Sequence, residues 1–185
     1  MSHRFNGDQY NVYRMSNERI REAVEKTEAL LMENPELGRG PDTPATATLE
    51  EGVRMRVRGP DDWEVATDHR EAVGGTETAP NPGWYWRASL AACDATVVRI
   101  EAARRGIELT TLEVTVESES DSRGSMGLDD DVPVGPSEVR IHFHLGSADA
   151  TAEELEALVE WTEAHSPVGH AIGSAIPIEP SVEIE

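Results

Sequence analysis

The chain has 185 residues, of which 36 are acidic and 16 basic, so its formal net charge is −20. This length suits one domain with an extension, and the acidic surface is expected to repel nucleic acid and anionic membranes. The sequence contains no long apolar run and no hydrophobic secretory segment, so we expect a soluble cytoplasmic protein with no membrane partner.

The N-terminal part of the chain predicts a helical extension. Residues 1–15 are polar and carry no clear period. Ser16 is a suitable N-cap for a helix that should end near Asn34-Pro35, because the residue before proline avoids the helical region. Glycines and prolines then predict a linker. We therefore divide the chain into an extension with linker, residues 1–43, and a domain, residues 44–185.

The first half of the domain predicts strands and then one long helix. Residues 45–49, 53–57 and 63–66 are short apolar stretches separated by turn residues, which indicates an antiparallel meander. Pro82 is a favourable first helical residue, and an alanine-rich helix should run from it to the stop at Gly106. Such a helix, bracketed by few apolar strands, buries itself best between two copies of the chain.

The second half predicts two strands, two helices and an edge strand. Residues 108–119 and 139–145 alternate between apolar and charged side chains, on either side of an acidic loop. Thr151 and Glu154 form a capping box for a helix, and Ser166-Pro167 should open another. Residues 176–184 are predicted to form a final edge strand, although two prolines interrupt it. The order of these elements predicts an α+β domain.

Three ordered motifs carry a resemblance to a known family. The stretch Asp68-His69-Arg70-Glu71-Ala72-Val73-Gly74-Gly75, then Pro80-Asn81-Pro82, then Ala88-Ser89-Leu90-Ala91-Ala92-Cys93, resembles the signature of the OsmC/Ohr superfamily. These are osmotically induced and organic-hydroperoxide-resistance proteins. The resemblance covers roughly residues 44–185. It implies an OsmC-like α+β fold, in which antiparallel strands and a long central helix build an intertwined homodimer.

The same resemblance assigns the candidate catalytic residues. In the family's peroxidases a cysteine on the central helix attacks the peroxide, and a second cysteine before a Pro-Val pair resolves it. These positions match Cys93 and Ser166, and Cys93 is the only cysteine. A serine hydroxyl cannot form a disulfide with a sulfenic acid, so an active protein would need an external thiol as reductant. The glutamate that commonly follows Asn-Pro is replaced by Gly83.

A reactive thiolate at Cys93 requires a nearby cation, because the helix dipole fades within the first turn. The resemblance places an arginine on the N-terminal hairpin, where Arg54, Arg56 and Arg58 share one strand face. Arg54 is the first choice, and a solvated face of an edge strand is the alternative reading. If Asp94 faces the same space, its negative charge would raise the pKa of the Cys93 thiol and disfavour the thiolate. Cys93 can equally be a small buried residue among alanines.

Three successive aromatic residues begin the long helix. Trp84, Tyr85 and Trp86 cannot all share one helix face, so at least one should point toward the thiol or a dimer interface. Together with Ser166 they are candidate walls of an apolar substrate pocket, and ordinary packing is the alternative. Ser166 also has a structural role as an N-cap before Pro167.

The sequence predicts neither a metal site nor a cofactor. His142 and His144 lie two apart on a predicted strand and share a side, but no third ligand is assured, so we interpret them as surface residues. Gly74-Gly75 lacks the spacing of a phosphate-binding loop.

Two functions from different classes remain open. The first is a stress-response thiol peroxidase with Cys93 as its single redox cysteine, acting on organic hydroperoxides. The second is a non-catalytic OsmC-fold dimer that binds a small apolar ligand. The distinction depends on whether Cys93 is accessible and faces a guanidinium.

The charge excess leads to a first prediction, that the protein is adapted to a salt-rich cytoplasm. Molar salt shortens the Debye length to roughly 3 Å and screens repulsion among the acidic groups. Transfer from molar salt to dilute buffer should therefore lower the melting temperature, measured by circular dichroism. An unchanged melting temperature would contradict the adaptation.

Overall fold

The computed structural model of the protein describes residues 16–184, and it shows an α+β fold with antiparallel sheets, as predicted. Its elements are α1 (Asn17–Glu33), β1 (Thr46–Glu51), β2 (Arg54–Arg58), β3 (Glu64–Thr67), α2 (Pro82–Arg105), β4 (Leu109–Glu119), α3 (Ser122–Ser125), β5 (Glu138–Ser147), α4 (Ala152–His165) and α5 (Pro167–Gly173). Short 3-10 turns lie at Pro35–Gly38 and Glu71–Val73. The predicted acidic loop contains α3.

The long helix α2 begins and ends where the sequence predicts. The Asn81 side chain accepts a hydrogen bond from the Trp84 amide at 2.9 Å, and Pro82 occupies the first turn. Gly106 ends the helix in the left-handed conformation, with φ of 73°, which glycine adopts without steric cost. At a rise of about 1.5 Å per residue, its 24 residues form a helix about 36 Å long.

The hydrophobic core lies between α2, α4 and the β4–β5 hairpin. Val98, Ala102, Ile107 and Leu158 form its buried centre. The hairpin is antiparallel and turns its apolar side chains to one face. Its cross-strand pairs include Leu112 with Leu145 and Val114 with Phe143.

The helix α1 packs on α2, and its predicted ends are confirmed by the Ser16 N-cap and the stop at Asn34. The Asn17 amide nitrogen donates to the Ile107 carbonyl at 2.8 Å, which ties the start of α1 to the end of α2. Glu28 and Arg104 form an ion pair at 3.0 Å further along. The extension is therefore attached to the central helix by both polar and packing contacts.

The N-terminal strands form a separate antiparallel sheet in the order β1-β2-β3, which confirms the predicted meander. One face carries apolar side chains, and these are Ala47, Leu49, Met55, Val57 and Val65. Leu49 is 61% exposed and Val65 44%. Within residues 16–184 no helix packs broadly against this sheet. Its apolar face is therefore open to solvent in the single chain.

The C-terminal segment corrects one prediction. Residues 174–184 form no helix or strand, so the expected edge strand over 176–184 is wrong. Pro177 and Pro180 have no backbone N–H to donate to a neighbouring strand. Ile178, Val182 and Ile184 have the alternation of a strand, but each is more than 80% exposed and none lies in a strand of residues 16–184.

The last two helices form as predicted. Thr151 and Glu154 make the reciprocal hydrogen bonds of a capping box at the start of α4. Ser166 caps α5, and Pro167 is its first residue. Among residues 16–184 no helix is both long enough and apolar enough to cross a bilayer.

Candidate functional site

Cys93 and Ser166 meet where α2 packs against α5. The Ser166 hydroxyl lies 3.5 Å from the Cys93 sulfur, although 73 residues separate them in the sequence. Ser166 is 4% exposed, whereas Cys93 is half-buried. The same hydroxyl oxygen accepts a hydrogen bond from the Gly169 amide at 3.0 Å, which is the N-cap of α5. The structure thus brings together the two positions that the family resemblance paired.

Asp94 follows the cysteine in the chain but faces the interior. It is 3% exposed, and its Oδ1 atom has no hydrogen-bond partner within residues 16–184. Burial raises the pKa of this carboxyl, and a hydrogen bond from the Ser166 hydroxyl opposes that rise. The sequence showed that the two residues are adjacent, but not that Asp94 would be buried beside the partner of the thiol.

The three arginines of β2 share one face, as predicted, but they do not lie on an edge strand. β2 is the central strand of its sheet, which corrects the alternative reading. Glu50 and Glu64, on the neighbouring strands, bind all three guanidinium groups; Arg54 Nε lies 3.0 Å from Glu50, and Arg58 Nε lies 3.0 Å from Glu64. Arg56 binds both carboxylates and lowers the pKa of Glu50.

Within residues 16–184, no hydrogen bond joins an arginine to Cys93. Arg54 is nevertheless distinct from the other two arginines. Its Nη1 atom donates to the Thr78 hydroxyl at 2.7 Å, which links the sheet to the loop that precedes α2. This loop contains the Asp68–Gly75 motif.

Asp68 is the hydrogen-bonding centre of that loop, a role that sequence reasoning missed. It is 1% exposed, and its carboxylate accepts bonds from the hydroxyls and backbone amides of Thr76 and Thr78 and from the His69 amide. These bonds, led by the Thr78 amide and the Thr76 hydroxyl, hold the pKa of Asp68 well below its usual range. The two threonines, eight and ten residues downstream, were the available signal.

The loop also explains the glycine pair in the motif. A Cβ atom on Gly75 would lie 1.9 Å from the His69 carbonyl oxygen, so no larger residue fits without moving the backbone. Gly74 adopts the left-handed conformation, with φ of 86°. The Gly-Gly pair therefore closes the loop around Asp68 and fixes the direction in which the chain enters α2.

The side chains of the three aromatic residues point in different directions, as their spacing on the helix requires. Trp84 is 48% exposed and packs edge-on against Tyr85, with ring centroids 5.2 Å apart. The Tyr85 hydroxyl donates to the Ala66 carbonyl at 3.0 Å and so binds the N-terminal sheet. Trp86 precedes Cys93 by seven residues, which places it on the same side of the helix. Of the three, Trp86 is therefore the candidate wall for the thiol site.

Trp84 instead lines a shallow hollow on another side of α2. Asp68, His69, Arg70, Asn81 and Arg87 are among the other lining residues. Neither Cys93 nor Ser166 contributes to this hollow. The predicted pocket of Trp84, Tyr85, Trp86 and Ser166 is thus divided between two places in the structure.

His142 and His144 lie on the same side of β5, as the strand period predicts. They pair with Thr115 and Glu113 on the face that points away from α2, and His144 Nδ1 lies 4.0 Å from Glu113. Within the described range, 16–184, no cluster of three or more His, Cys, Asp or Glu residues is arranged to hold a metal ion.

The comparison with family models identifies the chain. Residues 75–181 match the model described as OsmC-like protein. This match spans more than half of the chain and includes α2, Cys93 and Ser166. The protein belongs to the OsmC-like family, which groups stress-related and redox proteins of the OsmC and Ohr type.

Solved structures show the same fold. An OsmC-like protein from Mycoplasma pneumoniae aligns with a TM-score of 0.62 at 17% identity, covering 73% of this chain and 89% of that one. An organic hydroperoxide resistance protein OsmC from Legionella pneumophila aligns with a TM-score of 0.53 at 23% identity, covering 72% and 90%. One from Elizabethkingia anophelis gives 0.53 at 19% identity, covering 72% and 89%. No curated protein matches the sequence.

The Asp68 network yields a second prediction, tested with Asp68→Asn. A folded-state pKa held below the ordinary value near 4 means that ionised Asp68 stabilises the fold at neutral pH, and that this stability is lost as the pH falls through the folded-state pKa. We expect Asp68→Asn to lower the melting temperature at neutral pH. The difference in melting temperature between this variant and wild type should become smaller in acid.

Asp62→Asn is the matched control, since Asp62 is exposed and its side chain accepts no hydrogen bond from residues 16–184. Melting curves from pH 7 down to pH 3 would test the expectation. A gap between Asp68→Asn and wild type that stays constant over this range would show that the negative charge of Asp68 does not stabilise the loop.

Proposed function

We propose that this OsmC-like protein is a cytoplasmic stress-response thiol peroxidase that reduces organic hydroperoxides, with Cys93 as its only redox cysteine and an external thiol as reductant. The observation that supports this function best is the contact between Cys93 and Ser166 across the α2–α5 junction. A half-buried sulfur is open to a small substrate, and a buried hydroxyl beside it can stabilise the thiolate. The Legionella and Elizabethkingia structures carry hydroperoxide resistance in their names.

The chemistry balances without a second cysteine in the chain. The thiolate sulfur attacks the terminal oxygen of the hydroperoxide; the S–O bond forms, the O–O bond breaks, and the alkoxide takes a proton and leaves as an alcohol. The cysteine is then a sulfenic acid. One external thiol displaces water and forms a mixed disulfide, and a second thiol attacks that disulfide and restores the Cys93 thiol.

Ser166 contributes to the attack but cannot finish the cycle. Its hydroxyl can donate to the sulfur at 3.5 Å, and it keeps that position because its oxygen also caps α5. An oxygen cannot replace a sulfur in a disulfide, so the Cys93 sulfenic acid persists until a thiol from solution reduces it. The reductant is thereby part of the proposed function.

The proposed active form is a homodimer. The apolar face of the β1–β3 sheet and the side of α2 that carries Ser89, Ala92 and Ile100 are both exposed in the single chain. Apolar surface left in water is unfavourable, and an exposed apolar patch commonly marks a surface that a partner covers. We expect the sheet of one copy to cover the Cys93 side of α2 in the other. Arg54, the proposed activating cation, points to the opposite face of β2, so it would reach the thiol from the end of that strand and not through the apolar contact.

A specific observation favours the second candidate, a non-catalytic dimer that binds a small apolar ligand. The guanidinium groups of Arg54, Arg56 and Arg58 are already bound by Glu50 and Glu64 on their own sheet. A cation engaged in this way supports a thiolate less well than a free one. In that case Trp86 and Ser166 would line a binding cleft.

The third prediction separates these candidates by peroxide consumption. Reduced wild-type protein in molar salt should consume cumene hydroperoxide in a stopped-flow assay when a dithiol is supplied. Cys93→Ser should lose this activity, because an alcohol oxygen does not reduce the peroxide. Equal traces for the two proteins would eliminate the peroxidase and leave the binding protein.

A second variant checks the geometry in the same experiment. Ser166→Cys puts a sulfur next to Cys93, at a distance that a small side-chain rotation brings within bonding range. After hydroperoxide treatment, this variant should form an internal disulfide and lose two hydrogens by mass spectrometry. Wild type should instead hold a sulfenic acid that dimedone traps. Failure of the variant to form the disulfide would argue against peroxide oxidation of Cys93.

The fourth prediction concerns assembly. Sedimentation equilibrium in molar salt should give twice the chain mass, because the exposed apolar faces need a covering surface. Leu49→Asp places a charge on the apolar face of the sheet and should shift the equilibrium toward monomer. Leu128→Asp, on an exposed loop, is the control. A wild-type monomer at micromolar concentration would refute the dimer.

A further inference from the structure

The shallow hollow beside the start of α2 has no role in the peroxidase chemistry above. Its volume is about 300 Å³, and it lies between the loop that precedes α2 and the first turns of that helix. We call it the Trp84 hollow. The lining side chains used below are Trp84 and Arg87 from the helix and Asp68, His69, Arg70 and Glu77 from the loop.

Hydrogen bonds within the loop fix the walls of the Trp84 hollow. The Asp68 amide donates to the Pro80 carbonyl at 3.2 Å, and the Glu77 amide donates to the His69 carbonyl at 3.1 Å. The Asp68 carboxylate adds the bonds described above, which close the loop from inside. A hollow that is already formed loses little conformational entropy when a ligand binds, and this favours binding.

Two guanidinium groups of the hollow have no carboxylate partner among residues 16–184. Most arginines of the described chain are bound by acidic side chains, and examples are Arg56, Arg104 and Arg140. Arg70 and Arg87 form no such ion pair there, although the whole chain contains 36 acidic residues. Their positive charges are therefore available to an anion from solution.

The Arg87 guanidinium is held in place, and the residue nearest to it in the first turn of α2 leaves it uncovered. Its Nη1 atom donates to the Ser118 hydroxyl of β4 at 3.1 Å, and the side chain is half-buried. A Cβ atom on Gly83 would lie 4.0 Å from the same nitrogen. A longer side chain at that position, four residues before Arg87, would thus reach the guanidinium. Because glycine stands there, the other N–H groups of Arg87 can bind a ligand.

His69 and Trp84 add a further donor and an apolar surface. The Arg70 amide donates to the His69 Nδ1 atom at 3.0 Å, so the proton of the neutral ring is on Nε2, which can donate. The Trp84 side chain is 48% exposed although it lines the hollow. Its indole ring can therefore pack against a flat ligand.

The two acidic residues of the lining do not cancel this donor surface. Asp68 is 1% exposed, and both of its carboxylate oxygens already accept hydrogen bonds from the loop. Glu77 is exposed, so water and salt screen its charge. Donors without a partner therefore outnumber the free acceptors in the Trp84 hollow, which favours a ligand that carries a carboxylate.

We propose that the Trp84 hollow binds a small planar organic carboxylate, an aromatic or heteroaromatic acid. The carboxylate accepts parallel hydrogen bonds from the planar guanidinium of Arg87, and Arg70 is the second cation of the site. The ring of the ligand packs on Trp84. A volume of about 300 Å³ is at the small end of ligand sites, so it suits a ligand of one or two rings.

This site is separate from the thiol. Trp84 and Cys93 lie nine residues apart on α2, so their side chains point about 180° away from each other. The proposed dimer covers the Cys93 side of the helix and leaves the hollow accessible. The carboxylate site therefore does not depend on the peroxidase function, and Cys93→Ser should bind the ligand as wild type does.

The fifth prediction tests the site with 2-naphthoate as the probe, by isothermal titration calorimetry of the full chain in molar salt. Wild type should bind 2-naphthoate more tightly than 2-naphthamide, which has the rings without the charge, and than inorganic phosphate, which has the charge without a ring. Arg87→Gln should weaken 2-naphthoate binding by about tenfold, because a charge-assisted hydrogen bond is lost. Arg39→Gln, an exposed arginine of the linker, is the matched control and should bind as wild type does.

A second pair of variants tests the site without removing a guanidinium. Gly83→Glu places a carboxylate four residues before Arg87, where it should pair with the guanidinium and weaken 2-naphthoate binding. Gly83→Gln has the same length without the charge and should keep most of the affinity. Equal binding of 2-naphthoate and 2-naphthamide, or no binding of 2-naphthoate at millimolar concentration, would overturn the site. If Arg87→Gln does not fold, equal affinities in Gly83→Glu and Gly83→Gln would do so.

Discussion

The continuous 24-residue helix α2 is the constraint on which the rest of the structure depends. Neighbouring side chains on such a helix point about 100° apart, so residues adjacent in sequence have different surroundings. Cys93 therefore lies half-buried on the flank of α2, while Asp94 enters the interior. The start of α5 then places the Ser166 hydroxyl 3.5 Å from the sulfur. A different start or stop for α2 would leave the contacts around the sulfur unformed.

Ser166 connects the stability of the fold to the chemistry of the site. Serine is among the best N-cap residues, and cysteine is not, so a serine at this position strengthens the start of α5. The cap bond to the Gly169 amide also fixes the oxygen next to the sulfur. A second sulfur here would favour disulfide formation over helix capping. The chain therefore has a well-fixed hydroxyl at the position that the family resemblance pairs with Cys93.

The elements of the fold could be predicted from sequence because their signals are local. Asn81-Pro82, Gly106 and the capping box at Thr151 depend only on nearby backbone groups, and the strands followed from alternation. The predicted final strand was wrong because the alternation near Ile178 needs a neighbouring strand, and none pairs with it in the part of the chain that the structure describes. Asp68 and the Cys93–Ser166 contact depend on loop closure and helix packing. Local spacing carries no information about these, and only the family resemblance paired the two positions.

The charge of the chain and the proposed site are connected through assembly. Each copy has a formal net charge of −20, so two copies repel each other unless salt screens them, while their apolar faces favour association. Arg54 is held in a fixed direction by Glu50 and Thr78, so a second copy would receive a preorganised cation. If that cation activates Cys93, the reactivity of the thiol depends on dimer formation and hence on ionic strength. For an acidic protein of this kind, the salt concentration would thus set the fraction of molecules in which the proposed dimer joins Arg54 to Cys93, as well as the stability of the fold.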